Sequence, residues 1–306
     1  MQCEQLFSIF PEGIQKILAS MKLPLEEMQE IRFRTGRQVL AVCGGREYWS
    51  EQRIQPVQIK EILSYLSGYS IYAYEDEIRQ GFLTLPGGHR VGIAGKTILE
   101  GRNIKTMTEI SSLNIRFAHE VKGCAEILFP WLWEGERLLH TLLVSAPGCG
   151  KTTLLRDCIR LISDGSGGHA GMTVGVVDER SEISGSYRGV PGNDLGMRTD
   201  VLDSCPKSEG MMMLIRSMAP RAMAVDEIGG RADLEALQLA VNCGCILLAT
   251  VHGENMSSLM KKPVLREMVE TGMFERYIFL EKGRRPGQIR EIRDWKGKIL
   301  VQGQEL

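Results

Sequence analysis

The stretch Ser145-Ala146-Pro147-Gly148-Cys149-Gly150-Lys151-Thr152-Thr153 sets glycines, a lysine and a hydroxyl in the order a phosphate loop requires. Gly148 and Gly150 let the backbone fold tightly round an oxyanion with its N–H groups turned inward. A helix opening near Lys151 directs the positive end of its dipole at the same point. Lys151 is suited to the β- and γ-phosphates as a point charge, and the Thr152 hydroxyl to Mg²⁺. In the full pattern G-x-x-x-x-G-K-[ST] the first glycine is here Ser145, a departure that keeps a small residue where the chain leaves its strand. The cofactors this chemistry calls for are ATP and Mg²⁺.

A second acidic group is expected to complete the site. Ala222-Met-Ala-Val-Asp226-Glu227 is an apolar strand ending in two carboxylates. Asp226 is suited to orienting Mg²⁺ through a water, and Glu227 to polarising the attacking water from the adjacent position. Such an Asp-Glu pair predicts a sheet with an extra strand between the two nucleotide-binding strands, and Thr173 to Asp178 is the expected insert. Thr250 and His252 close another apolar strand, expected to lie beside the phosphate loop, and are placed to sense the γ-phosphate; the plainer alternative is a capping threonine and a solvated histidine. Asp178-Glu179-Arg180 is a third charged strand end. Glu179 can join the metal shell and Arg180 can reach phosphate, or the two can form a structural ion pair. Arg188, Arg198, Arg221 and Arg231 are further candidates for a charge lent to a neighbouring subunit, and sequence does not choose among them.

The elements around these motifs fall into two rhythms. From about His140, short apolar runs alternate with helical segments: strands at Leu142–Ser145, Thr173–Asp178, Ala222–Asp226, Ile246–Val251 and Tyr277–Leu280, helices at Thr152–Ser163, Glu209–Ser217, Ala232–Asn242 and Ser257–Met260, and more helix after Pro263. Apolar strands between helices imply a parallel sheet covered on both faces. Met211-Met-Met213 reads as core on its helix. The Gly- and Arg-rich stretch from Arg180 to Lys207 reads as one long loop. Before His140 the pattern is α+β. Pro11–Lys22, Val57–Tyr65 and Ile71–Arg79 have helical spacing. Ile31–Arg34, Gln38–Cys43 and Leu113–Phe117 read as strands, a hairpin turns at Pro86-Gly87-Gly88, and Cys124–Trp133 reads as a linking helix. The fold class is therefore α/β, with an N-terminal α+β domain over 1–135 and a phosphate-loop domain over 136–306.

Composition narrows the partners. The 306 residues carry a formal net charge of -1, so the strong basic excess of many nucleic-acid binders is absent. None of the 8 cysteines forms a CxxC pair, which predicts a reducing compartment without a disulfide framework or structural zinc; Cys243-Gly-Cys245 has the wrong spacing for a zinc knuckle. The N-terminus has no secretory pattern. The longest apolar run falls short of the roughly 20 residues a spanning helix needs, so no membrane span is expected.

The runs SAPGCGKTTLLRD, VVDERSEI, MRTDVLD, EGMMMLIRSMAPRAMAVDEIG and ATVHG, with GFLTLPGGHRVGIAGK and SSLNIRFAHE before them, resemble the stage III sporulation AA family. That family is similar to the secretion-type ATPases of type II and type IV secretion and pilus machines. The resemblance spans most of the chain. It implies a RecA-like P-loop ATPase domain after a smaller α+β domain, and a ring, expected to be a hexamer, with sites at subunit interfaces. In its terms Asp178, Glu179 and Arg180 form an acidic box and His252 belongs to a histidine box. It further implies ATP hydrolysis that energises a channel between mother cell and forespore, from the mother-cell cytoplasm, with membrane proteins of the same sporulation complex as partners. The alternative on the same core is a RecA-like ATPase acting on single-stranded nucleic acid, which the near-neutral charge disfavours.

Overall fold

Alternating burial makes the first sheet one-faced: along β1 (Met28–Arg34) Ile31 and Phe33 are fully buried while Arg32 and Arg34 between and beyond them are not. The computed structural model describes residues 7–69, 74–101, 103–118, 120–283 and 285–305. It divides into the units Met1–His119 and Glu120–Leu306. In the first unit β1 is joined by β2 (Gln38–Cys43), β3 (Arg46–Arg53), β4 (Phe82–Leu85), β5 (His89–Glu100) and β6 (Asn103–Arg116) in the antiparallel order β3-β2-β1-β6-β5-β4. Helices α1 (Glu12–Ser20), α2 (Pro56–Leu66) and α3 (Glu75–Gln80) complete it. The hairpin expected at Pro86–Gly88 is the β4–β5 turn, with Leu85 paired to His89. Part of the helix expected over 71–79 lies outside the described residues, and α3 begins at Glu75.

The second unit is built on near-continuous apolar strands. Its sheet contains β9 (Thr141–Ser145), β12 (Val174–Asp178), β13 (Thr199–Asp203), β14 (Ala222–Val225), β15 (Ile246–His252), β16 (Arg276–Leu280), β17 (Ile289–Asp294) and β18 (Ile299–Gln302). Two-residue ribbons sit outside it, β7 (Trp133–Glu134) with β8 (Arg137–Leu138) and β10 (Gly165–Ser166) with β11 (His169–Ala170). The helices are α4 (Lys151–Asp164), α5 (Lys207–Met218), α6 (Arg231–Asn242), α7 (Met256–Met260) and α8 (Pro263–Glu270). Strand order is β13-β12-β14-β15-β9-β16-β17-β18, parallel from β13 to β16 and antiparallel thereafter. All five residues of β9 and of β12 are buried, as a doubly covered sheet demands. Two apolar cores result, one holding Leu154, Cys158 and Ile162 of α4 and the other Leu234 and Leu237 of α6.

Several expectations change. The strand between β9 and β14 is β15, not Thr173–Asp178; β12 lies beyond β14, on the far side from β9. Cys124–Trp133 is turns and a short 3₁₀ segment over Phe129–Leu132, not a helix. Its apolar residues Ala125, Leu128, Phe129 and Leu132 pack into the core around α4, which is why the division falls at 119/120 when the change of rhythm suggests 135/136. The Arg180–Lys207 stretch contains strand β13, while the helix expected after Pro263 is α8, Pro263–Glu270. Of the three consecutive methionines, Met211 is fully buried and Met213 is 55% exposed.

Candidate functional site

The carboxyl ends of β9, β14, β15 and β12 meet on one edge of the sheet, where an open parallel sheet leaves a crevice. From β9 the chain passes through Ser145, whose hydroxyl turns back to donate to the Ala146 carbonyl at 2.8 Å. A side chain is thus accommodated at the position of the missing first glycine. Gly148 and Gly150 adopt the left-handed φ values of +77° and +86° that favour glycine, and Gly150 caps α4. Among the described residues, the N–H groups of Gly148, Cys149, Gly150 and Lys151 donate to no protein acceptor. They form the mouth of a cradle at a helix N-terminus, which suits an anion.

Lys151 is 6% exposed. Burial pushes its ammonium group below the ordinary lysine range, against the opposing pull of Asp226 and Glu227. Its Nζ lies 3.1 Å from His252 Nδ1. An ammonium group only donates, so Nδ1 accepts and the ring proton sits on Nε2. Nε2 is 2.8 Å from Glu227 Oε1, to which it donates. The other carboxylate oxygen accepts from Arg180 Nη1 at 2.6 Å. Lys151, His252, Glu227 and Arg180 therefore form one continuous polar chain across the strand ends. Burial raises the Glu227 carboxyl, but the His252 hydrogen bond and the charges of Arg180 and Lys151 outweigh it and hold the group below the usual carboxylate range.

Glu227 reaches this position through its backbone. Its φ of +53° is left-handed, rare for a side-chain-bearing residue. Its N–H donates to Thr250 Oγ1 at 2.9 Å and to Asp226 Oδ1 at 3.0 Å, which holds the turn. Thr250 is fully buried and its hydroxyl also donates to Asp226 Oδ1. The second Asp226 oxygen accepts from Thr152 Oγ1 at 2.6 Å. Thr152 and Asp226 are thus already juxtaposed, a hydroxyl and a carboxylate of the hard-oxygen kind that Mg²⁺ takes. Among the described residues no three His, Cys, Asp or Glu side chains group into a ready-made metal site. Glu179 pairs with Lys207 at the rim of the same cleft.

Asp178 turns inward. Its buried carboxylate accepts the N–H groups of Glu182, Ile183 and Ser184 and the Ser184 hydroxyl, at 2.7 to 3.0 Å. It organises the loop that carries Arg180. The other arginines separate by position: Arg198 donates to the Ser163 carbonyl, Arg231 pairs with Glu235 and Glu267, Arg221 precedes β14 at the end away from the site, and exposed Arg188 lies over the Tyr187 ring. One supporting element was not legible beforehand. The turn between β16 and β17 leans on the phosphate loop, with the Gly287 N–H donating to the Cys149 carbonyl at 2.8 Å. A Cβ on Gly150 would stand 2.4 Å from that same nitrogen and 2.7 Å from Pro286 Cβ. Pro286-Gly287 was a turn signal in the sequence, but nothing local tied it to residues 149 and 150.

Sheet order, phosphate loop and acid pair together define a RecA-like P-loop ATPase fold. The chain superposes on the Legionella pneumophila ATPase DotB with a TM-score of 0.60 at 14% identity, covering 88% of this chain and 76% of that one. On the pilus retraction motor PilT with bound ADP the TM-score is 0.57 at 13% identity, covering 95% and 82%. Residues 1–300 match the family model for sporulation stage III protein AA, and the chain belongs to that family. It is 41% identical over 299 residues to the stage III sporulation protein AA of Bacillus subtilis strain 168, covering 97% of this chain and 96% of the relative. No helix among the described residues is long and apolar enough to cross a membrane.

Proposed function

We propose that the chain binds Mg·ATP on the phosphate loop and hydrolyses it, with Glu227 acting on the attacking water. The observation that carries this reading is the polar chain Lys151–His252–Glu227–Arg180 lying beside the Thr152–Asp226 contact. A buried ammonium group facing a neutral imidazole nitrogen leaves its charge uncompensated by that partner, and a phosphate would supply the missing anion. The N–H groups of Gly148 to Lys151 would hold the same phosphates. Thr152 and Asp226 would hold Mg²⁺, which neutralises charge on the β- and γ-phosphates when bound. His252 and Arg180 orient the Glu227 carboxylate from both oxygens. A carboxylate so held is a weak base that positions and polarises water. Beside the cradle a pocket of about 650 Å³, lined in part by Cys124, Ile127, Pro286, Gly287 and Ile289, offers apolar walls for the nucleoside.

The assembly we propose is a ring of copies, a hexamer, attached from the mother-cell cytoplasm to membrane proteins of the sporulation complex and energising a channel to the forespore. Family membership and the likeness to DotB and PilT support it. The experiment is steady-state hydrolysis and nucleotide binding by purified protein. Lys151→Ala is expected to lose both. Glu227→Gln is expected to keep binding and to slow turnover by about 10²-fold or more. Wild-type turnover in either variant would refute the assigned roles. Strong, salt-sensitive stimulation by single-stranded DNA would replace the channel role with a nucleic-acid motor.

A further inference from the structure

Arg156 lies one turn along α4 from Thr152, and among the described residues its side chain has no hydrogen bond to the cradle. Its Nε donates to the Ile183 carbonyl and its Nη2 to the Glu182 carbonyl, both at 2.8 Å. The N–H groups of those same two residues donate to Asp178. Donors and acceptors of one short segment are therefore held from opposite sides, the donors by a strand end and the carbonyls by the phosphate-binding helix. Two parallel bonds from a planar guanidinium fix orientation as well as distance, which a lysine cannot do. The clamped segment follows Arg180 by two residues, across Ser181 at a left-handed φ of +53°. Arg180 in turn holds Glu227 Oε2.

We propose that Arg156 is a positioning residue that sets Arg180, and through it the Glu227 carboxylate, from the position of the phosphate-binding helix. Any shift of α4 as the cradle fills is passed to Arg180 by this clamp, with no side chain of the clamp touching nucleotide. A purely structural staple would hold α4 to the loop without bearing on turnover. The proposal rests on the ATPase reading above.

The test is a double-mutant cycle read by kcat, KM for ATP and nucleotide affinity. Arg156→Ala is expected to lower kcat by about tenfold or more, the scale of a small misplacement in an active site, with KM and affinity within about twofold of wild type. Arg180→Ala should give a similar loss. The Arg156→Ala/Arg180→Ala protein should be no slower than Arg180→Ala alone, since the two act in series. Arg156→Lys keeps the charge and most of the volume. It should unfold near the wild-type temperature yet retain a kcat deficit, which separates positioning from loss of fold. Wild-type kcat in Arg156→Ala, multiplicative losses in the double variant, or a deficit confined to KM would each overturn the proposal. A wild-type chain that binds but never turns over ATP would instead bring down the ATPase reading, and this proposal with it.

Discussion

Each group at the site is defined by its neighbours more than by its own type. Glu227 has both carboxylate oxygens engaged and its N–H shared between Asp226 and Thr250. Its folded-state value lies below the unfolded value of 4.5. The pairing therefore adds stability that is fully present above the unfolded value and is lost as pH falls through the folded one. The unfolding temperature of wild type should exceed that of Glu227→Gln near pH 7, and the gap should close as pH falls below about 4.5. A gap that persists unchanged into strong acid would mean the carboxylate is not held as described. Turnover should follow the same sign, with no loss from deprotonating or protonating Glu227 between pH 5 and 7.

At the scale of elements, the two loop glycines do different work. Gly148 has open space where a Cβ would go, so only its φ of +77° resists substitution. Gly150 combines φ +86° with backbone and side-chain atoms of the β16–β17 turn at 2.4 to 2.8 Å. Gly150→Ala should lower stability by well over about 1 kcal/mol and lose nucleotide binding together. Gly148→Ala should lower stability by about 1 kcal/mol while losing most nucleotide affinity, because the left-handed φ that turns the loop N–H groups inward is disfavoured for alanine. Chemical unfolding and nucleotide titration of the two variants would separate the cases; equal stability losses would contradict the packing. Most of this geometry was legible in the sequence, since strand ends mark themselves with abrupt polar residues such as Asp226, Glu227 and His252. Sheet order was legible only in part: β15 was expected beside the phosphate loop and does pair with β9, but the place of β12 was not. Where β12 stands depends on crossovers, and β12 and β15 read as the same apolar run. The strand β13 was hidden because all its residues are only half buried, so Thr199–Asp203 lacks the apolar signature of its neighbours. The Arg156 clamp was invisible because it uses backbone carbonyls, which every residue has.

For the whole molecule, the second unit has two apolar cores of its own and contains every residue assigned to the site. A chain of residues 120–306 should therefore unfold cooperatively and be stabilised by ATP. Failure of ATP to raise its unfolding temperature, when the full chain does respond, would show that the first unit contributes to binding. Measuring the mass of the full chain with and without a non-hydrolysable ATP analogue tests the proposed ring. A strict monomer at every concentration would refute it.

The contact between Gly287 and Cys149 also bears on how the protein comes into being. A ribosome releases the phosphate loop long before it releases the turn that braces it. β9, too, must wait for both its sheet neighbours, β15 and β16, which are made later. A nascent chain therefore carries the complete glycine-lysine motif before the brace of its cradle exists, and a ligand of the cradle meets its braced form only once synthesis has passed Gly287. Domains dominated by such distant pairings fold slowly, so the interval in which this chain most needs protection from aggregation is the one before its C-terminal ribbon arrives.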